Sequence, residues 1–431
     1  MNKIDTAYTT VTIFSETGNL SFRGNTTKQG KPNDDLISVS TRRDIGTDNG
    51  VFEIQLVPRN HWFQKIRPND LVIIEMNRKS KGKDTVFIGL VDDTRLNMSG
   101  NSNTTSITGR GFSKAMANFE IGVLTQLQAD TSVMNPVFQN ILHQLPNGEI
   151  SVVDIVRSTF YDVFLKHEDY RFSNGSTYAT MVNTKLSCIP EATAIKMLNY
   201  AQYSGNYFNL VRELKGEPFH ELFWEVYKGK PTMVFRPTPF DSAEWNSLPR
   251  KSIDIEDIVN LSLGISDIET YTVFSLKYNG QELPLDRVVQ EALAPPIYNP
   301  EYYKKYGLKA LTVQVPYFRL MTSSVGNERN TMQSLQQKLY DWYIKNNSMK
   351  NGSVTILGDP TIKVGTRLSL WDEEFYIESV NHKFVCGQSY TTELSLTRGC
   401  TNTIRFGSPM GTCEEYSAEK ILAISNGGFM K

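Results

Sequence analysis

Few residues in this chain are placed to do chemistry, and their spacing argues against most of it. The five histidines, His61, His143, His167, His220 and His382, lie far apart, and none sits in an H-E-x-x-H or similar motif. His382 precedes Cys386 by four residues, and a thiol beside an imidazole can act as a nucleophile. Positions 382 and 386 of a strand share a face only if no turn or bulge intervenes, and Gly387 marks a turn beside them. The pair therefore reads as packing or surface. His382, Cys386, Cys400 and Cys413 have the atom types for zinc but not the compact spacing of its ligands. Asp92-Asp93 and Glu373-Glu374 are adjacent carboxylates. Strand neighbours point to opposite faces, so neither pair converges on a substrate, and solvated turn charge is the expectation. Gly109-Arg110-Gly111 lacks the longer glycine pattern of a phosphate loop. Tyr298, Tyr302, Tyr303, Tyr306, Tyr317 and Phe318 could stack on a sugar, but aromatic side chains also fill cores and subunit interfaces, which is the expected use. No catalytic residue, cofactor-binding residue or metal ligand is assigned, no cofactor is expected, and the chain is not expected to be an enzyme.

Length and charge set the frame. A chain of 431 residues suits two to four domains. With 45 basic and 46 acidic residues its net charge is −1, so no overall excess favours nucleic acid or a membrane surface. Four irregularly spaced cysteines without C-x-x-C imply reduced thiols. The opening MNKIDTAYTTVTIF has no basic and apolar leader pattern, and no apolar run is long enough to cross a membrane. Synthesis in a cytoplasm is the expectation.

The elements are mostly strands. In residues 1–115, β-branched and aromatic runs at 9–15, 36–41, 50–58, 70–77, 85–97 and 104–109 are separated by Gly-, Asn- and Asp-rich turns, the pattern of a small barrel or sandwich. Residues 116–205 change period. Helices are expected over 133–145, 152–165 (with Ser151 as N-cap) and 192–202, with a turn at Asn147-Gly148, making a helical or mixed insertion. Strands return as a hairpin, 219–227 and 231–236, which ends in Arg236-Pro237-Thr238-Pro239-Phe240; the two prolines take the chain out of the sheet. Residues 242–344 read as an inserted mixed α/β segment, with strands near 253–265, 270–277 and 311–315, a loop at 294–306 and an amphipathic helix at 332–344. Residues 345–400 are strand again: 353–357, the turn Gly358-Asp359-Pro360, 367–370 reached through Gly365, then 375–384 and 391–397. Residues 206–241 and 345–400 are expected to form a second barrel, and 401–431 a loose or partner-ordered tail. The fold class is mainly β with α insertions: two tube-like antiparallel barrels and a helical or mixed domain.

Four phrases carry a resemblance. They are Phe52–Leu56, Ile66–Ile74, Phe87–Asp93 and Ile107–Gly111 in the first β region; E-L-F-W-E-V-Y (221–227) with R-P-T-P-F (236–240); G-D-P (358–360) followed by K-V-G (363–365); and V-N-H (380–382) followed by T-E-L-S-L-T-R (392–398). In this order they resemble the late-control-D and central baseplate hub proteins of contractile phage tails, over nearly all of residues 9–400. The resemblance implies a homotrimer whose two barrels per chain build a pseudo-sixfold ring. That ring would adapt a hexameric tail tube to a trimeric central spike, with a channel that passes DNA in a phage and none in a tail-like bacteriocin. Implied partners are the tail tube protein, the spike, baseplate wedge or other tail proteins and the tape measure protein; the implied location is the virion tail. The family offers no catalytic residues, and Arg236, Pro237, Pro239, Phe240, Gly358, Asp359, Pro360 and Gly365 are expected to be architectural. The competing class is a β-rich carbohydrate-binding or cell-wall-active protein, monomeric with a ligand pocket.

Overall fold

The structure is a computed structural model, and it describes residues 6–27, 35–46, 50–99, 102–121, 151–192, 205–278, 295–315, 325–409 and 411–415. The helix expected at 133–145, the Asn147-Gly148 turn, nearly all of the 192–202 helix, Tyr317, Phe318 and residues 416–431 lie outside them.

Seven strands form the first half: β1 (Ala7–Ser15), β2 (Gly18–Asn25), β3 (Leu36–Asp44), β4 (Val51–Leu56), β5 (Leu71–Arg78), β6 (Gly82–Ser99) and β7 (Ser102–Gly111). Period-two patterning decides their faces: in β1, Ala7, Thr9, Val11, Ile13 and Ser15 are buried while the residues between them are not. The inward rows make a core of Val11, Ile13, Val39, Ile54, Val72, Ile74 and their neighbours. The sequence pattern missed β2, whose Gly-Asn-Leu-Ser start has little β preference; its eight-residue pairing with β1 supplies what propensity does not.

Three strands make a small separate sheet. β8 (Asn183–Leu186) runs parallel to β10 (Lys230–Pro237), which pairs antiparallel with β9 (His220–Tyr227). The backbone of the hairpin assigned to the second barrel thus pairs with β8, not with the described strands of 345–400. It joins that half through side chains instead, placing Phe223 and Val234 in a core with Val354, Ile362, Val364, Leu368, Phe375 and Leu394.

The second half contains β11 (Arg250–Ser252), β12 (Ile258–Ile265), β16 (Lys350–Leu357), β17 (Arg367–Leu370), β18 (Glu373–Val385) and β19 (Ser389–Cys400). β11 and β12 come from the segment read as an insertion. The two halves share one continuous 13-stranded sheet, in the order β12-β16-β19-β18-β3-β4-β7-β6-β5-β1-β2, with β17 and β11 branching from β18. The physical reason lies in β18. Register shifts after Glu374 and after Ile377 bend it, as bulges do. Its first residues then pair with β17, while Ser379–Val385 pair with β3. The first half curls until the Gly387 amide donates to the Asn25 carbonyl (2.8 Å) and the Cys386 amide to Ile37 (3.0 Å). Among the described residues the second half stays open at β12.

The remaining core is helical and aromatic. The helix Val152–Ser158, capped by Ser151 as expected, runs on as a π-helical turn, Thr159–Phe164. Helices at Tyr207–Lys215 and Ser242–Ser247 were not anticipated, although Asn206 and Asp241 cap them. Of the loop expected at 294–306, the described residues hold a strand, Ile297–Tyr298 (β14), and a helix, Pro300–Tyr306, whose cap Asn299 accepts from the Glu301 and Tyr302 amides. Proline at the first helical position, read as a loop signal, favours a helix there. β14 lies in a four-stranded sheet with β13 (Val273–Tyr278), β15 (Ala310–Val315) and β20 (Glu414–Glu415), beside the long helix Val325–Tyr343.

Candidate functional site

The residues screened for catalysis are dispersed. His382 is buried, with Nδ1 in hydrogen bonds to Thr392 Oγ1 (3.0 Å) and Tyr390 Oη (3.1 Å). Burial, then the charges of Arg43 and Lys363, hold its pKa well below the usual histidine value. Cys386 lies past the end of β18 against the first-half core, whereas Cys413 packs on the helical core. Burial raises the Cys188, Cys400 and Cys413 thiols, Cys413 to about 11, the reverse of an activated nucleophile. Among the described residues no three His, Cys, Asp or Glu side chains are grouped to hold a metal. Tyr298 and Tyr302 are buried in the core.

The adjacent carboxylates do point apart, but they are not solvated turn charge. Asp92 is paired with Arg110 (2.7 Å) and Lys114 (2.9 Å), and Asp93 with Arg95. Glu373 binds Lys350 (2.7 Å). Glu374 is buried and accepts from Trp245 Nε1 (2.9 Å) and Arg367 (3.1 Å), with Arg250 at 3.0 Å. Burial alone would raise the Glu374 pKa; the indole N–H and the two guanidinium groups outweigh it and hold it below the usual value.

Charged pairs of this kind concentrate where the parts meet. Arg43 on β3 pairs with Glu225 on β9, whose second oxygen accepts from the Val364 amide (3.1 Å). Lys363 pairs with Asp84 (3.0 Å), and burial, with Arg43 nearby, lowers its pKa to about 8. Arg78 on β5 pairs with Asp257 (2.7 Å) just before β12. Removing one partner of such a pair leaves an uncompensated buried charge and costs about 3–5 kcal/mol. These pairs therefore fix how the halves and the hairpin sit.

The structure brings Arg236 and Gly365 together. Arg236 Nε donates to Glu221 (2.9 Å); Nη2 donates to the Gly365 carbonyl (2.7 Å) and to Tyr376 Oη (2.8 Å), which itself donates to Glu221 (2.6 Å). The guanidinium also lies over the Phe223 ring. Burial works against its charge, but Tyr376 and Glu221 outweigh that and raise its pKa. Gly365 has φ +69°, and a Cβ there would stand 2.6 Å from Arg236 Nη2 and 2.8 Å from the Phe223 ring. Pro237 ends β10, Pro239 is buried, and Phe240 packs on Phe219 and Trp342. Gly358, Asp359 and Pro360 form a second, separate spot. A Cβ on Gly358 would collide with the Tyr390 ring, and Asp359 accepts from Thr361 N (2.9 Å) and Oγ1 (2.7 Å). A cleft of about 300 Å³ adjoins the Arg236 cluster, lined among others by Lys215, Glu217, Glu221, Tyr343, Glu378 and Arg398. Lys215 pairs there with Glu217 (3.2 Å). Its chemistry is that of a polar joint between packed parts.

No protein-family model matches the chain, and no curated protein matches it in sequence. Solved structures do. The 43 kDa tail protein of prophage MuSo2 from Shewanella oneidensis aligns with a TM-score of 0.51 at 12% identity, over 90% of this chain and 98% of that one. The tail protein from Neisseria meningitidis MC58 aligns with a TM-score of 0.52 at 10% identity, over 92% and 97%. The chain has the fold of these phage tail proteins. At such identities the likeness is one of fold.

Proposed function

We propose that this protein is a structural baseplate hub of a contractile tail, three copies forming a ring that adapts a hexameric tail tube to a trimeric central spike. The observation that carries the reading is the shared fold with two phage tail proteins over nine-tenths of the chain. Two further features support it. The described chemistry is spent on fixing parts to one another, as the Arg236–Glu221–Tyr376 cluster does. Among the described residues the large sheet also ends in a strand paired on one side, β12, as a subunit that closes a ring with its neighbours would have. In this reading the partners are the tail tube, the spike and other baseplate proteins, the tape measure protein passes through or ends at the ring, DNA is cargo only, and the location is the virion tail.

Light scattering on the purified protein, with negative-stain images of the same fraction, tests this. The expected result is three chains of 48.9 kDa in a threefold ring with a central opening. A chain that stays monomeric even when co-expressed with neighbouring tail proteins overturns it.

A further inference from the structure

Most of the charge around the cleft beside the Arg236 cluster is spent on the joint. Arg236 and Tyr376 hold Glu221, Lys215 pairs with Glu217, and His220 is neutral. Glu378 on β18 and Arg398 on β19 line the same cleft. Among the described residues neither has an ion-pair partner, although each feels the other's charge.

Arg398 is held in place. It falls at an irregularity of β19, between Thr397, which pairs with Tyr376, and Gly399, which pairs with Lys350, and its φ is +58°. A bulky residue in the left-handed region is strained, and such residues gather at ligand sites. Nη1 donates to the Trp342 carbonyl (2.9 Å), and Cζ lies 3.6 Å from the centre of the Trp342 ring. These contacts fix the plane of the guanidinium. Among the described residues no acceptor meets Nε or Nη2, the edge that takes a carboxylate through two parallel hydrogen bonds. Glu378 Oε1 accepts from the hydroxyl of Thr397 (2.9 Å), the residue before Arg398, and among the described residues Oε2 has no donor. Burial raises the Glu378 pKa and lowers that of Arg398 to about 10, as expected of charges short of a partner. Ile45, Pro218 and Tyr343 add apolar surface to the cleft, whose volume of about 300 Å³ suits a small molecule.

We infer that this cleft binds a small zwitterion, an α-amino acid with an apolar side chain, its carboxylate on the Nε–Nη2 edge of Arg398 and its ammonium on Glu378. A lone carboxylate would face Glu378 and a lone ammonium Arg398, so only a molecule carrying both groups satisfies both side chains. The site is independent of the ring reading.

Ligand-observed NMR titrations of the full chain test it with three probes that share one ring: phenylalanine, hydrocinnamate, which lacks the ammonium, and phenethylamine, which lacks the carboxylate. Phenylalanine is expected to bind about tenfold more tightly than either, the worth of one charge-assisted hydrogen bond. Glu378→Gln, which keeps an acceptor for Thr397, should cost phenylalanine about tenfold and leave hydrocinnamate no weaker. Arg398→Lys, which keeps the charge and loses the fork, should weaken phenylalanine and hydrocinnamate alike. Unfolding curves show whether each variant folds; if Arg398→Lys does not, Glu378→Gln and the wild-type comparison decide alone. Phenylalanine that fails to bind up to tens of millimolar, a half-probe that equals it, or binding indifferent to Glu378→Gln overturns the site. The hub reading stands or falls separately, on the mass of the assembled particle.

Discussion

Replacing Gly365 by alanine tests whether the Arg236 cluster fixes the hairpin to the second half. Gly229, in the β9–β10 turn, is the control: its φ is +72°, and a Cβ there meets nothing within 4 Å. Gly229→Ala therefore suffers only left-handed strain of about 1–2 kcal/mol, offset by about 0.4–1 kcal/mol from a stiffer unfolded chain. About 1 kcal/mol of net loss is expected. Gly365→Ala suffers the same strain at φ +69°, and its Cβ also drives into Arg236 Nη2 and the Phe223 ring. Overpacking of this kind costs about 1–3 kcal/mol, and the displaced guanidinium loosens its bond to the Gly365 carbonyl. The expected total is about 3 kcal/mol. Urea unfolding followed by tryptophan fluorescence reads the difference, with Trp224 on β9 a reporter close to the joint. Repeating Gly365→Ala in an Arg236→Ala background should reduce its cost by about 1 kcal/mol, the coupling expected of residues in contact. Equal losses for the two alanine variants, or strict additivity with Arg236→Ala, would refute the argument.

Arg236→Met strands Glu221 between the hairpin and Tyr376, and is expected to lose about 3 kcal/mol; adding Glu221→Gln should restore part of it in the same titration. His220 is neutral and fully engaged, Nε2 accepting from the Ile189 amide (3.1 Å) and Nδ1 donating to the Lys215 carbonyl (2.8 Å). Burial lowers its pKa to about 4. The unfolded chain therefore takes up this proton first, so its stabilising share is present above about pH 6.5 and is lost as pH falls toward 4, by about 3 kcal/mol in all. Unfolding titrations across that window should show the decline, and His220→Asn should make it shallower, buried His382 supplying a further share. Arg43→Met, which leaves Glu225 unpaired at the β3–β9 contact, should cost about 3 kcal/mol. Limited proteolysis should then cut the hairpin faster; an unchanged digestion rate would count against the pair as a clasp.

Much of the fold was legible because a half-buried strand writes its burial as a period of two. β17 begins and ends where the pattern places it, and β18 and β19 extend the expected runs by a few residues at their ends. Glycine and proline marked the turns at 358–360 and 365, and Ser151 marked a helix start. β2 escaped because pairing, not propensity, makes it a strand. The single sheet escaped because a bulge leaves no mark in apolar alternation, so β18 read as one straight strand of one barrel.

The charges were the least legible part, for a different reason. A carboxylate beside a turn looks solvated until its partner is known, and here the partners are remote: Arg236 meets Gly365 across 129 residues and Arg78 meets Asp257 across 179. Pattern reading sees neighbours within a turn of helix or a pair of strands, whereas these contacts are set by how whole elements dock. A buried ion pair contributes little net stability over an apolar one, but misdocking that leaves one charge alone costs several kcal/mol. Pairs at Arg43, Lys363, Arg78 and Arg236 thus penalise every arrangement of halves and hairpin but one. That is a use for buried charge suited to a subunit whose shape must match its neighbours, and it predicts that apolar replacement of a whole pair, Arg43→Met with Glu225→Leu, keeps more stability than either single change while loosening the docking that proteolysis reads. If the double variant is both as stable as the wild type and as resistant to cleavage, the pair specifies nothing.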